Sequence, residues 1–302
     1  MSRVPNVVIA GTVKGGTTSI FRYLALHPQI CASKKKETCY FLPLRYGNDL
    51  LAWSEYEQLF DHCADEKYVI EATPGYFDGG KTVAEAIKAR LGDDVRIIIT
   101  LRNPTSRLIS FFKYKQAQIE LPKDMTLAEY VTRCTQMPTH ERHRQKNDAF
   151  WGVDGGRYMQ YLPDWFSVFG ERNIKIVFFD AIVSNPHQVM NDLCDWLDLD
   201  PEVYSDTTFG VENKTVQYQY AWMHRLAVSV NMNAELFLRK HPKLKEYIKK
   251  IYYKMNGDNS PSQSIDVNDK LLKELYMRDN QRLSDFLITH GYKDLPTWLS
   301  RQ

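Results

Sequence analysis

Four short apolar runs restrict the fold more than any other feature: VVIAG (7–11), YVIEA (68–72), VRIIITL (95–101) and IKIVFF (174–179). Each is rich in Val and Ile and nearly continuous in its apolar character, so both faces of the strand it predicts must be buried. Such strands belong inside a sheet covered on two sides. Stretches with helical spacing at 17–27, 81–91, 105–117, 158–169 and 187–198 supply the cover. Strand and helix in alternation predict an α/β fold with a central parallel sheet flanked by helices. Beyond 216 the strands fade. Segments 218–255 and 268–290 read as helices, parted by the loop-forming NGDNSPSQS at 256–264. There is no internal repeat and no linker, so 1–302 is read as one domain with a helical C-terminal part.

Composition removes several classes of function. The 39 Lys and Arg residues nearly balance 37 Asp and Glu, so no overall basic field points to nucleic acid. No apolar run approaches the roughly 18 residues of a membrane span. Val7 to Ala10 is too short for the core of a secretory signal. The five cysteines (Cys31, Cys39, Cys63, Cys134, Cys194) are odd in number, widely spread and lack a CxxC pair. Neither a disulfide scaffold nor a zinc ribbon is expected from them, and a reducing, cytoplasmic setting is.

The most informative stretch is VVIAGTVKGGTTSIFRYLALHP (7–28), a buried strand running through a glycine turn into a helix. Amides at such a helix start lack partners and carry positive partial charge, which makes an anion site. Gly11, Gly15 and Gly16 allow close backbone approach, while Thr17, Thr18 and Ser19 offer hydroxyls. The nucleoside-triphosphatase pattern GxxxxGK[ST] nearly fits from Gly11, but Thr17 stands in the lysine position and the lysine comes earlier, at Lys14. A second stretch, RNPTSRLISFFKY (102–114), follows the strand at 95–101. Arg102 falls at a strand's carboxyl end, where open α/β sheets bind ligands. Pro104 suits a first helical turn, and Ser106 and Ser110 share a helix face. Arginine and serine together suit a phosphate.

Together these stretches resemble the sulfotransferases that use 3′-phosphoadenosine 5′-phosphosulfate (PAPS), in the style of the heparan-sulfate and related bacterial branch. GTVKGGTTSIFRYLALHP (11–28) is similar to that family's 5′-phosphosulfate loop. Leu101, Arg102, Asn103, Pro104, Arg107, Ser110 and Phe112 match its 3′-phosphate motif. The resemblance implies a P-loop-like sulfotransferase fold. It further implies that Lys14 stabilises the leaving phosphate, that Gly15, Gly16, Thr17 and Thr18 hold the 5′-phosphate, and that Arg102 and Ser110 hold the 3′-phosphate. Arg107 reads as structural or solvent-facing. No metal is required by this chemistry.

Acceptor deprotonation needs a positioned base. Glu37-Thr38-Cys39-Tyr40-Phe41 resembles the family's E-x-x-F-F segment, which implies that role for Glu37. EATPGYF (71–77) resembles the acceptor-lining E-K-[ST]-P-x-Y-F segment, with Glu71 and Thr73 as pocket residues, but Ala72 replaces the lysine of heparan-type enzymes. That departure favours a small-molecule acceptor, of the natural-product tailoring kind, over a glycosaminoglycan. Softer matches are GGRYMQYLPDWFSVFG (155–170), with Tyr158 toward nucleotide or acceptor, and FGVENKTVQY (209–218). KMNGDNSPSQS (254–264) could cover the 3′-phosphate. His27, in the HP helix stop, is read as structural, and the basic stretch 239–254 as a solvated face. Two other readings stay open: a magnesium-dependent kinase-like phosphoryl transferase, and a nucleotide-binding protein without turnover.

Overall fold

The computed structural model of the chain describes residues 3–210 and 270–300, with a few single positions between 244 and 255. Five parallel strands, β1 (Val7–Gly11), β2 (Ile30–Ala32), β3 (Tyr68–Ala72), β4 (Arg96–Leu101) and β5 (Ile174–Phe178), form one sheet in the order β2-β3-β1-β4-β5. Four are the runs read from the sequence. The fifth, β2, has three residues, ICA, too few to carry a pattern, and it pairs with β3 at the sheet edge.

Helices α1 (Thr17–Leu24), α2 (Trp53–Glu57), α3 (Gly80–Leu91), α4 (Pro104–Ala117), α5 (Leu127–Gln136), α6 (Thr139–Arg142), α7 (Leu162–Phe169), α8 (Phe179–Ser184) and α9 (Pro186–Leu197) fill the connections. A final helix, α10 (Lys270–Thr289), falls within the segment expected to be helical at 268–290. Most of the other predicted C-terminal helix (218–255), the basic stretch 239–254, the turn 209–218 and the loop 254–264 lie outside the described residues.

Alternate side chains of each strand point to opposite faces. In β1, Val8 and Ala10 join Ile97 and Ile99 beneath α3, α4 and α7, whereas Val7 and Ile9 join Ile70 and Ile98 beneath α1 and α9. Val7, Val8 and Ile9 are all fully buried. Each such side chain stabilises the fold by about 1.5–3 kcal/mol, which is why these strands lack the polar alternation of a half-solvated sheet.

Cys31 in β2 and Cys63 in the turn beyond α2 are joined by a disulfide, with 5.7 Å between their Cα atoms. This corrects the expectation drawn from cysteine usage. The two are 32 positions apart, and only the fold brings them together. Cys39, Cys134 and Cys194 are free. Among the described residues, no helix is long and apolar enough to cross a membrane.

Candidate functional site

The chain leaves β1 toward β3 on one side and meets β4 on the other, so the crevice beyond the carboxyl ends of β1 and β4 is a topological switch point. Both phosphate-type stretches open into it. The loop after β1 is stapled to β4: the Thr12 amide donates to Thr100 Oγ1 (3.1 Å), Thr12 Oγ1 donates to the Thr100 carbonyl (3.0 Å), and Thr100 Oγ1 donates to the Gly11 carbonyl (2.9 Å). Gly15 lies against this staple, where a Cβ would sit 2.6 Å from both threonine hydroxyls. Gly16 then caps α1 with φ 98°, a conformation that L side chains rarely adopt. No acidic residue occupies the first turn of α1, and its leading amides have no intrahelical acceptor.

Lys14 sits inside this turn at φ 66°, with Nζ 4.6 Å from the centroid of the Tyr114 ring. Burial lowers its pKa to about 8, with the nearby Arg102 charge acting in the same direction and Glu37 opposing it. Arg102 donates from Nη1 to the Lys14 carbonyl at 3.2 Å and lies over the Phe179 ring at 4.1 Å. The two predicted anion-binding stretches are therefore directly bonded to each other. Asn103 starts α4, its side chain accepting from the Ser106 amide at 3.1 Å, with Pro104 at the first helical position.

Arg107 is structural. It is 1% exposed and donates to the carbonyls of Val13 and Gly152, tying the phosphate loop to the chain beyond α6. Tyr158 also departs from the expected ligand contact. Its buried hydroxyl donates to the Arg102 carbonyl at 2.7 Å, so it supports the arginine from behind.

Glu37 reaches the same cleft from the segment following β2. Its amide donates to the Ala72 carbonyl at 2.9 Å, and its Oε1 lies 2.8 Å from Lys36 Nζ. Glu37 and Cys39 both have positive φ, 63° and 58°, and the surrounding bonds hold that backbone in place. Glu71 anchors it from below. The hydroxyls of Thr38 and Tyr56 donate to the Glu71 carboxylate, Thr73 Oγ1 accepts from the Cys39 amide, and the Tyr76 hydroxyl accepts from the Phe41 amide. Glu71 is fully buried and does not line the cleft, which corrects its reading as a pocket residue; Thr73 does line it.

Burial raises the Glu71 pKa to about 7, against the hydrogen bonds from Thr38 and Tyr56 that favour its ionised form. A carboxyl whose pKa is raised on folding binds protons more tightly in the folded state. Its contribution is therefore complete below the unfolded pKa of about 4.3 and is lost as pH rises through about 7. Thermal unfolding followed from pH 5 to 8 should show a stability loss on the order of 2–3 kcal/mol that Glu71→Gln largely abolishes.

The cleft encloses about 450 Å³ and is lined by Lys14, Gly16, Thr17, Thr18, Glu37, Arg102 and Ser110. Of the residues assigned to the nucleotide and the base, Gly15 alone does not line it and packs beneath, against the Thr12 and Thr100 hydroxyls. Its far wall holds a charged group that sequence reasoning missed: Arg45, Asp78, Lys115 and Asp148. Arg45 Nη1 lies 3.6 Å from Asp78 and 3.4 Å from Asp148, and Lys115 Nζ lies 3.0 Å from Asp148. Burial raises the Asp78 pKa to about 6, with Arg45 opposing the shift. Lys115 and Arg45 hold Asp148 below the usual carboxylate range.

A phosphate-type loop at a helix start, a second cation at the neighbouring strand end and a carboxylate across the cleft form the arrangement that the sequence resemblance implied. The family model for the sulfotransferase domain matches residues 4–241, and the chain belongs to that family. It is 26% identical to the bifunctional heparan sulfate N-deacetylase/N-sulfotransferase 1 of Caenorhabditis elegans, over 98% of this chain and 31% of that protein. Human heparan sulfate glucosamine 3-O-sulfotransferase 3B1 is also 26% identical, over 69% of this chain and 51% of that protein. The chain thus spans about a third to a half of the curated relatives it matches. In three dimensions it superposes on the sulfotransferase from Alicyclobacillus acidocaldarius with a TM-score of 0.68 at 21% identity, covering 98% of this chain and 99% of that one, a likeness of fold.

Proposed function

We propose that the protein transfers a sulfuryl group from PAPS to a hydroxyl or amine of a small-molecule acceptor by in-line displacement. The observation that carries this reading is the bond between the two anion-binding stretches, Arg102 Nη1 to the Lys14 carbonyl, with Glu37 facing them across one cleft. A nucleotide bearing phosphates at both ends needs two anion sites in one continuous pocket. Here the loop amides, Gly16, Thr17 and Thr18 take the 5′-phosphate, and Arg102 and Ser110 the 3′-phosphate. Glu37 accepts the acceptor's proton as the new S–O bond forms. Lys14 and the loop amides take up negative charge as the bond from sulfur to the phosphate oxygen breaks. Ala72, the last residue of β3, stands where heparan-type enzymes carry a lysine, and that departure supports the small-molecule acceptor.

Calorimetric titration with the product nucleotide 3′-phosphoadenosine 5′-phosphate (PAP), in chelator and without magnesium, tests the donor assignment. Saturable binding is expected, and indifference to the nucleotide overturns the reading. Arg102→Ala should weaken PAP about 10–100-fold, the worth of about 1.5–3 kcal/mol for hydrogen bonds to a charged group.

A further inference from the structure

The far wall of the cleft carries two cations and would at first sight suit an anionic acceptor such as the heparan chains for which the curated relatives are named. Its geometry argues the reverse. Arg45 and Lys115 are sealed, with side chains 7% and 8% exposed, whereas Asp148, which lines the cleft with them, is 30% exposed. Lys115 Nζ divides its donors between Asp148 at 3.0 Å and Glu120 at 2.8 Å. Arg45 pairs through Nη1 with Asp78 and Asp148 and stacks 4.4 Å over the Trp151 ring; its Nη2 is buried and makes no hydrogen bond. Nearer the donor loop, Glu37 is 52% exposed and Lys36, its partner at 2.8 Å, only 9%. Asp148 and Glu37 both line the cleft, and each is more exposed than the cation it pairs with.

We infer that the acceptor half of the cleft takes an uncharged hydroxyl compound and turns away polyanions, because Asp148 screens the cations of its wall. This rests on the donor assignment above: Lys14 and Arg102, the lining cations not committed to wall carboxylates, are occupied by the nucleotide's phosphates. What the wall offers besides is ring and apolar surface, from Tyr46, Tyr114, Phe111, Leu42 and Pro74. A ring compound can pack there, while a sulfate or carboxylate meets like charge first, an arrangement that selects by repulsion.

The test titrates the PAP-saturated protein with a heparan sulfate octasaccharide in about 0.15 M salt. Wild type should show no saturable binding below about 1 mM. Asp148→Asn, which keeps the side chain's shape, and Asp148→Ser, which is smaller, should each bind the octasaccharide about tenfold tighter or more, and the gain should shrink with added salt. PAP affinity unchanged in both variants shows that they are folded. Micromolar, salt-sensitive binding by wild type overturns the inference, and so does failure of both variants to gain. If wild type does not bind PAP, the donor assignment alone falls. The wall is still judged by the difference between variant and wild type, which the octasaccharide titration measures either way.

Discussion

Lys14→Ala should lower kcat by about 10²–10³-fold, the usual effect of removing one aimed donor from a developing anion. PAP affinity should fall far less, because the loop amides and Arg102 remain. The reason is positional. Lys14 extends from within the turn, at φ 66°, with its ammonium packed 4.6 Å from the Tyr114 ring, so it is aimed before any ligand arrives. Preorganised charge of this kind stabilises the transition state without reorganisation at the moment of reaction. Its pKa of about 8 adds a pH signature. The ammonium of the free protein loses its proton as pH rises through about 8, so kcat/KM should decline on the basic side. Lys14→Arg, which stays charged, should shift that decline upward even if it lowers the plateau. Turnover by Lys14→Ala within a factor of about three of wild type would remove the lysine from the chemistry.

The parts of this molecule that could be read in the sequence are those with local causes. β1, β3, β4 and β5 follow from runs whose faces must both be covered. The start of α4 follows from Asn103 and Pro104, and the anion loop from its glycines and hydroxyls. What escaped was assembled from distant segments. Arg45 comes from the turn after Phe41, Asp78 from the turn after β3, Lys115 from α4, and Asp148 from the turn after α6. Each alone resembles an ordinary surface charge, and only the fold shows them packed together. The Cys31–Cys63 bond escaped for the same reason. Glu71 and Tyr158 were placed at the site by pattern, yet burial turned each into a support, Glu71 beneath Thr38 and Tyr158 behind Arg102, while Arg107, read as structural or solvent-facing, is structural beneath Val13. A motif gives a residue's neighbourhood; which side of the backbone it serves depends on packing from elsewhere in the chain.

Glu37→Gln should lower kcat by about 10²–10⁴-fold, the range for loss of a general base, with PAP affinity within about twofold of wild type. The substitution preserves shape and one acceptor oxygen, and leaves the backbone bond from the Glu37 amide to the Ala72 carbonyl untouched. Only the capacity to take a proton is removed. A positional contribution can be separated from it. Glu71, through Thr38, holds the segment on which Glu37 stands, so Thr38→Val should also lower kcat, by about tenfold, with the base still present. The conservative variant then distinguishes the two: Thr38→Ser, which keeps the hydroxyl that donates to Glu71, should retain most of the turnover that Thr38→Val loses, whereas Glu37→Gln has no such rescue. Near-normal kcat for Glu37→Gln on an acceptor that wild type sulfates would leave the proton to another group. One ionisable neighbour in the cleft, Cys39, is no substitute, because burial pushes its thiol up to about 11 and leaves it un-ionised near neutrality.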